Sequence, residues 1–144
     1  MLGLIQRVSE AQINVSGKVV GKINRGLLLL LGVQKGDAER DVSRLVNKVV
    51  NYRVFRDDKG HMNLSLLDIS GELLITPQFT IAADTKKGSR PSFSSAAPPD
   101  EAQALFDIFV LQARDLCAVE TGVFGADMKV SLTNDGPVTF MLSS

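Results

Sequence analysis

Gly26-Leu27-Leu28-Leu29-Leu30-Leu31-Gly32-Val33 is an apolar run opened and closed by glycine. Consecutive leucines show neither a helical stripe nor alternation, and a short run of this kind suits a central strand covered on both faces. It falls far below the roughly 18 apolar residues that suggest a membrane span. Upstream, residues 2–8 and 11–15 read as strands, and Val15-Ser16-Gly17-Lys18-Val19 as a hairpin turn into a third strand near Val19 to Ile23. The chain therefore begins β-rich.

Downstream, Lys35-Gly36 breaks the pattern and Asp37 is the expected N-cap of a helix, because Val42, Leu45, Val46, Val49 and Val50 recur at helical spacing. That helix is expected to end near Asn51. Val54-Phe55 reads as a short strand before the Asp57-Asp58-Lys59-Gly60 turn, and Glu72 to Thr80 as the next long one. Pro77 lacks a backbone donor, so the end of that strand is expected at an edge or bent away from the ladder. Residues 84–99 form a long polar loop, a length usually associated with function or disorder. Pro98-Pro99-Asp100-Glu101 opens a second helix with Leu105, Phe106, Ile108, Phe109 and Leu116 on its apolar face and Cys117 beside it. Final strands are expected near Met128 to Thr133 and Val138 to Leu142. Strands interrupted by two helices favour a single α+β domain over residues 1–144, with a mixed or antiparallel sheet, open or closed into a barrel.

Composition narrows the function. The 144 residues are 44% hydrophobic and 22% charged, as in an ordinary soluble domain. Sixteen basic and sixteen acidic side chains cancel, so no overall field holds a polyanion and any RNA must be gripped by a local patch or by one end. One cysteine excludes an internal disulfide framework and fits a reducing compartment, with the cytoplasm the simplest expectation. Met1-Leu2-Gly3-Leu4-Ile5-Gln6-Arg7 does not read as a signal peptide.

Several chemistries lack their residues. His61 follows a turn, no Gly-x-Ser-x-Gly occurs, and a Ser-His-Asp hydrolase is disfavoured. One Cys and one His build no typical zinc set, the carboxylates show no ligand spacing, and phosphate-cradling glycine motifs are missing. No metal and no cofactor are implied. Cys117 reads as a buried structural thiol.

Two segments remain. In Leu74-Ile75-Thr76-Pro77-Gln78-Phe79-Thr80, an amide, an aromatic face and a hydroxyl meet at a strand end, where they either satisfy the backbone or face a ligand. In Thr133-Asn134-Asp135-Gly136-Pro137-Val138-Thr139, Gly136 can bring a carbonyl into a cramped position, and the Gly-Pro bond is either cis or part of a plain turn. Together they resemble the two signatures of the D-aminoacyl-tRNA deacylases (D-tyrosyl-tRNA(Tyr) deacylases), Ser-Gln-Phe-Thr and Asn-x-Gly-Pro-Val-Thr. The second matches fully; the first has Pro77 where the family usually has Ser, so no role of that serine carries over. The resemblance runs nearly end to end, through Gln6-Arg7-Val8, Gly26-Leu27-Leu28, Asn51-Tyr52-Arg53-Val54-Phe55, Ala83-Asp84, Gly88, Arg90-Pro91-Ser92-Phe93 and Ala126-Asp127-Met128. A related animal deacylase family has Pro-Gln-Ala-Thr at the first motif, and Phe79 keeps this chain nearer the main group.

The resemblance implies a β-barrel-like core with packed helices, and a homodimer with active sites at the subunit interface. It implies hydrolysis of the ester between a D-amino acid and the 3′ end of tRNA, with glycyl-tRNA(Ala) as a second substrate. Gln78, Phe79 and Thr80 would form the catalytic site. Gly136-Pro137, with a cis bond and projecting into the other subunit's pocket, would exclude an L side chain, and Arg7 would hold the dipeptide in place; alone, Arg7 reads as a strand arginine in a surface ion pair. Lys86, Lys87 and Arg90 are candidate tRNA contacts or simply a solvated basic loop. The rival reading is a noncatalytic dimeric RNA-binding module.

Overall fold

The computed structural model describes residues 1–144. Strand β1 (Leu2–Val15) runs unbroken for 14 residues where two strands were expected. Ser9 and Glu10 are exposed at the expected break, and the pairing register shifts on either side of Val8, so the strand bends there and continues. β1 pairs along its length with β8 (Lys129–Ser143) and changes partner on its other edge. Residues Leu2 to Val8 pair with β3 (Gly26–Gly32), and Ala11 to Val15 with β2 (Lys18–Ile23).

Beyond β3 come β6 (Glu72–Pro77) and β7 (Ala118–Thr121), both added in parallel. All other pairs are antiparallel, so the sheet is mixed. Its curl returns β2 against β7: a Cβ built on Gly21 would lie 2.9 Å from the Thr121 carbonyl oxygen. A nearly closed barrel results, as expected. A two-residue strand, β4 (Phe55–Arg56), pairs separately with β5 (Met62–Leu64).

The leucine run fulfils its reading. Leu27, Leu29 and Leu31 enter the larger core with Leu45, Val49 and Phe109, while Leu28 faces Val8, Ile13, Ile23 and Leu74 inside the barrel. Burying each such side chain favours folding by about 1.5–3 kcal/mol, enough to fix β3 at the centre. Helices α1 (Glu39–Asn51) and α2 (Pro99–Arg114) cover the outer face through Val42, Leu45, Val46, Phe106 and Phe109.

Three local expectations differ. The N-cap of α1 is Ala38 rather than Asp37. The Asp37 carboxylate instead accepts from the Met1 ammonium at 2.6 Å and the Gln34 N–H at 2.7 Å, while Asp41 accepts from the Ala38 N–H at 2.9 Å. Leu116 and Cys117 lie past the end of α2: Leu116 is exposed and Cys117 half-buried, with burial pushing its thiol pKa up. The last two expected strands are one, because β8 passes through Asn134-Asp135-Gly136-Pro137. No helix is long and apolar enough to cross a membrane.

Candidate functional site

The first motif stands where β6 has lost β7 as a partner and keeps only β3. β7 accompanies β6 only as far as Ile75, whereas Gln78 still donates its N–H to the Leu31 carbonyl of β3 at 2.8 Å. Pro77 therefore falls past the last residue paired to β7, where a missing donor is tolerated. The chain then leaves the ladder in a single 3₁₀ turn, Phe79–Ala82, which lifts Phe79 and Thr80 to the surface. Gln78, half-buried, donates its side-chain amide to the Thr80 hydroxyl. Phe79, 56% exposed, packs on Phe93 with ring centroids 5.0 Å apart and planes at 54°.

Beside this turn lies a cavity of about 280 Å³, with Thr76 to Phe79 on one wall and Gly125 to Met128 on the other. Asp127 on the far wall is paired with Lys129 at 3.0 Å. Thr76 is fully buried, and its hydroxyl has no hydrogen-bond partner.

The second motif is a bulge in β8. Asn134 pairs with Val8 and Thr139 with Gln6, so residues 135–138 stand opposite Arg7 alone. Asn134 closes the bulge with both side-chain atoms: Oδ1 accepts from the Val138 N–H at 2.8 Å and Nδ2 donates to the Thr139 hydroxyl at 2.9 Å. Gly136-Pro137 is a cis peptide.

Gly136 has φ +148°, and a Cβ there would come within 2.5 Å of Val138 Cγ2 and 2.9 Å of the Val138 nitrogen. Backbone conformation and space both demand glycine.

Arg7 is 3% exposed rather than a surface residue. Its Nε donates to the Asp135 carbonyl at 2.8 Å, and its Nη1 donates to the Val54 carbonyl. The Asp135 carboxylate approaches Nε at 3.5 Å. The guanidinium thus joins the bulge to the chain entering β4, its fixed fork satisfying two carbonyls at once. Gly136 and Pro137 themselves are exposed.

The expected residues form two groups within one chain. Gln78, Phe79 and Thr80 adjoin one cavity, Arg7, Gly136 and Pro137 form one bulge, and none of the latter three lines that cavity. Lys86, Lys87 and Arg90 are exposed and form no salt bridge, on a loop pinned by an antiparallel bridge between Asp84 and Ser92. His61 is exposed on the β4–β5 hairpin, and no three His, Cys, Asp or Glu side chains cluster in the geometry of a metal site. Asn134, Thr139, Phe93 and Thr76 were not singled out individually from sequence. For Asn134 and Thr139 the signal was their place in the motif, flanking the bulge; Thr76 gave none.

The model of the D-Tyr-tRNA(Tyr) deacylase family matches residues 4–143. The chain is 56% identical over 144 residues to the D-aminoacyl-tRNA deacylase of Kosmotoga olearia, covering 100% of this chain and 97% of that one. It is 58% identical over 143 residues to the D-aminoacyl-tRNA deacylase of Cellvibrio japonicus, covering 99% and 98%. Among solved structures, the c-Myc DNA Unwinding Element Binding Protein superposes with a TM-score of 0.96 at 36% identity, over 100% of this chain and 99% of that one. A probable eukaryotic D-amino acid tRNA deacylase superposes at 0.83 with 18% identity, over 99% and 98%, which is a likeness of fold alone. By a family match that spans both motif segments and by identity to its relatives over essentially the whole length, the chain belongs to the D-Tyr-tRNA(Tyr) deacylase family and is a hydrolase.

Proposed function

We propose that two copies of the chain form a D-aminoacyl-tRNA deacylase in which the Gly136-Pro137 bulge of one subunit closes the cavity beside Gln78 of the other. The observation that carries this reading is the separation just described: a cavity without a filter and an exposed, clamped bulge without a cavity. The free edge of β8, 15 residues long with Phe140 and Met141 exposed, supports association with a second copy.

In the reaction, water adds to the ester carbonyl, the bond to the ribose oxygen breaks, and that oxygen leaves with a proton. The products are a free D-amino acid and tRNA with its terminal hydroxyl restored. Gln78 and backbone donors orient the ester and water, and the terminal ribose 2′-hydroxyl assists proton transfer. The local chemistry supports this over a Thr80 nucleophile, because the partner of the Thr80 hydroxyl is an amide donor rather than a base.

Selection follows from backbone. The Gly136 and Pro137 carbonyls hold the amino acid while the chain beneath them leaves no space for an L side chain, whatever the D side chain is. Glycine has nothing to clash and also enters, which makes glycyl-tRNA(Ala) a second substrate. Lys86, Lys87 and Arg90 contact phosphates near the 3′ end, a local grip suited to a chain of zero net charge.

Assay of the purified protein with matched D- and L-tyrosyl-tRNA tests the proposal. Release of tyrosine from the D substrate alone is expected. Equal release from both removes the filter, and binding of charged tRNA without turnover favours a noncatalytic RNA-binding module.

A further inference from the structure

Two phenyl rings stand in solvent beside the cavity where the core has no use for them. Phe79 is 56% exposed and Phe93 43%, and neither belongs to either hydrophobic core. They pack on each other at 5.0 Å. The pair is held from both sides. Phe79 opens the 3₁₀ turn, whose Ala82 carbonyl accepts from the Ser95 hydroxyl. Phe93 sits between the Asp84–Ser92 bridge and a turn in which its own carbonyl accepts from the Ala96 N–H at 3.1 Å, while Ser95 accepts from the Lys35 N–H at 3.0 Å. The same loop carries Lys86, Lys87 and Arg90, exposed and without carboxylate partners.

Fixed, exposed aromatic faces beside unpaired cations match what single-stranded nucleic acid requires: a face for a base and charge for the adjoining phosphates. A duplex hides its base faces, so an exposed pair of rings suits a single strand. We infer that Phe93, with Phe79, forms a stacking platform for an unpaired base in the 3′ tail of the RNA substrate, with the phosphates of that tail tracking the Lys86–Arg90 loop. The inference rests on the proposed deacylase reading for its substrate and extends it to how the tail is gripped. The platform presents π-faces without base-edge donors, so it accepts any base; it holds the tail near the cavity and leaves the choice of amino acid to the bulge.

Phe93→Leu keeps apolar bulk and loses the π-face, Phe93→Trp keeps the face, and Phe93→Ala loses both. With D-tyrosyl-tRNA, the Leu and Ala variants are expected to raise KM by about 5- to 150-fold, the range spanned by base–aromatic stacking, with kcat nearly unchanged and Trp close to wild type. A second measurement does not need turnover: an uncharged RNA minihelix with 2-aminopurine in its single-stranded 3′ tail should lose fluorescence on binding wild type and Phe93→Trp, and much less on Phe93→Leu. Leu restoring wild-type KM and quenching reduces Phe93 to a packing partner of Phe79 and overturns the inference, as does a loss confined to kcat. If wild type fails to hydrolyse D-tyrosyl-tRNA yet quenches the minihelix through Phe93, the deacylase reading fails and the platform stands.

Discussion

Gly136 shows how one residue is held by several constraints at once. Its φ of +148° disfavours any side chain, and the Cβ of an alanine would need the space of Val138 Cγ2, 2.5 Å away, and of Arg7 Nη2, 3.2 Å away. Relief requires the bulge to shift, which re-aims the carbonyls that the proposed filter uses. Gly136→Ala is expected to lower single-turnover hydrolysis of D-tyrosyl-tRNA by about 10- to 100-fold, the scale of an ångström's misplacement. Unchanged turnover would remove the bulge from the site. Thr76 is a different case, a buried hydroxyl with no hydrogen-bond partner within the chain. Such a group costs about 1–3 kcal/mol, and valine replaces it with a methyl of nearly the same size. Urea unfolding should therefore show Thr76→Val more stable than wild type by roughly 1 kcal/mol; a loss of stability would mean that the hydroxyl has a partner.

Turns and strand ends decide how the elements meet. Asp57 organises the β4–β5 hairpin: Oδ1 accepts from the N–H groups of Lys59 and His61 at 2.9 and 3.0 Å, and Oδ2 accepts from Asn63 Nδ2 at 3.1 Å. These bonds, led by that from His61, hold its pKa below the ordinary 3.8. A depressed carboxylate stabilises the fold fully above its unfolded pKa and loses that contribution as pH falls through the folded one. The difference in melting temperature between wild type and Asp57→Asn should be present at pH 7 and shrink as pH drops below about 3.8, while a gap constant to pH 2 would contradict the charge-dependent role. The same scale shows what periodicity reveals. α1, α2 and β3 were legible because each pairs a long apolar pattern with clear breaks. β7 was not: Ala118–Thr121 is four residues without a buried side chain, and its place comes from pairing with β6. The continuity of β8 was hidden because Asn-Asp-Gly-Pro reads as a turn. It is held as a bulge by a guanidinium 128 residues away in sequence, and the burial of Arg7 was equally hidden, since its acceptors are backbone carbonyls that leave no mark in composition.

At the scale of the molecule, the proposed site joins the two motifs across a pair of subunits. β6 ends at the cavity with Gln78 and Phe79, β8 carries the bulge, and within a chain Gly136 and Pro137 take no part in lining that cavity. Two-fold symmetry allows each subunit to lend its bulge to the other, which makes two composite sites per dimer. Mixed dimers test this arrangement. One subunit carries Gln78→Ala with Phe79→Ala, the other carries Gly136→Ala with Pro137→Ala, and distinct tags isolate the heterodimer. Each mutant homodimer is expected to lose most of its activity under either arrangement. In the heterodimer, one site combines the damaged cavity with the damaged bulge, and the other combines the intact cavity of the second subunit with the intact bulge of the first. Sharing across the interface therefore predicts about half the wild-type rate on D-tyrosyl-tRNA, one whole site of two. If each site is built within one chain, both are broken and the heterodimer is silent. A silent heterodimer, alongside active hybrids of each mutant with wild type, would return the filter and the cavity to the same subunit.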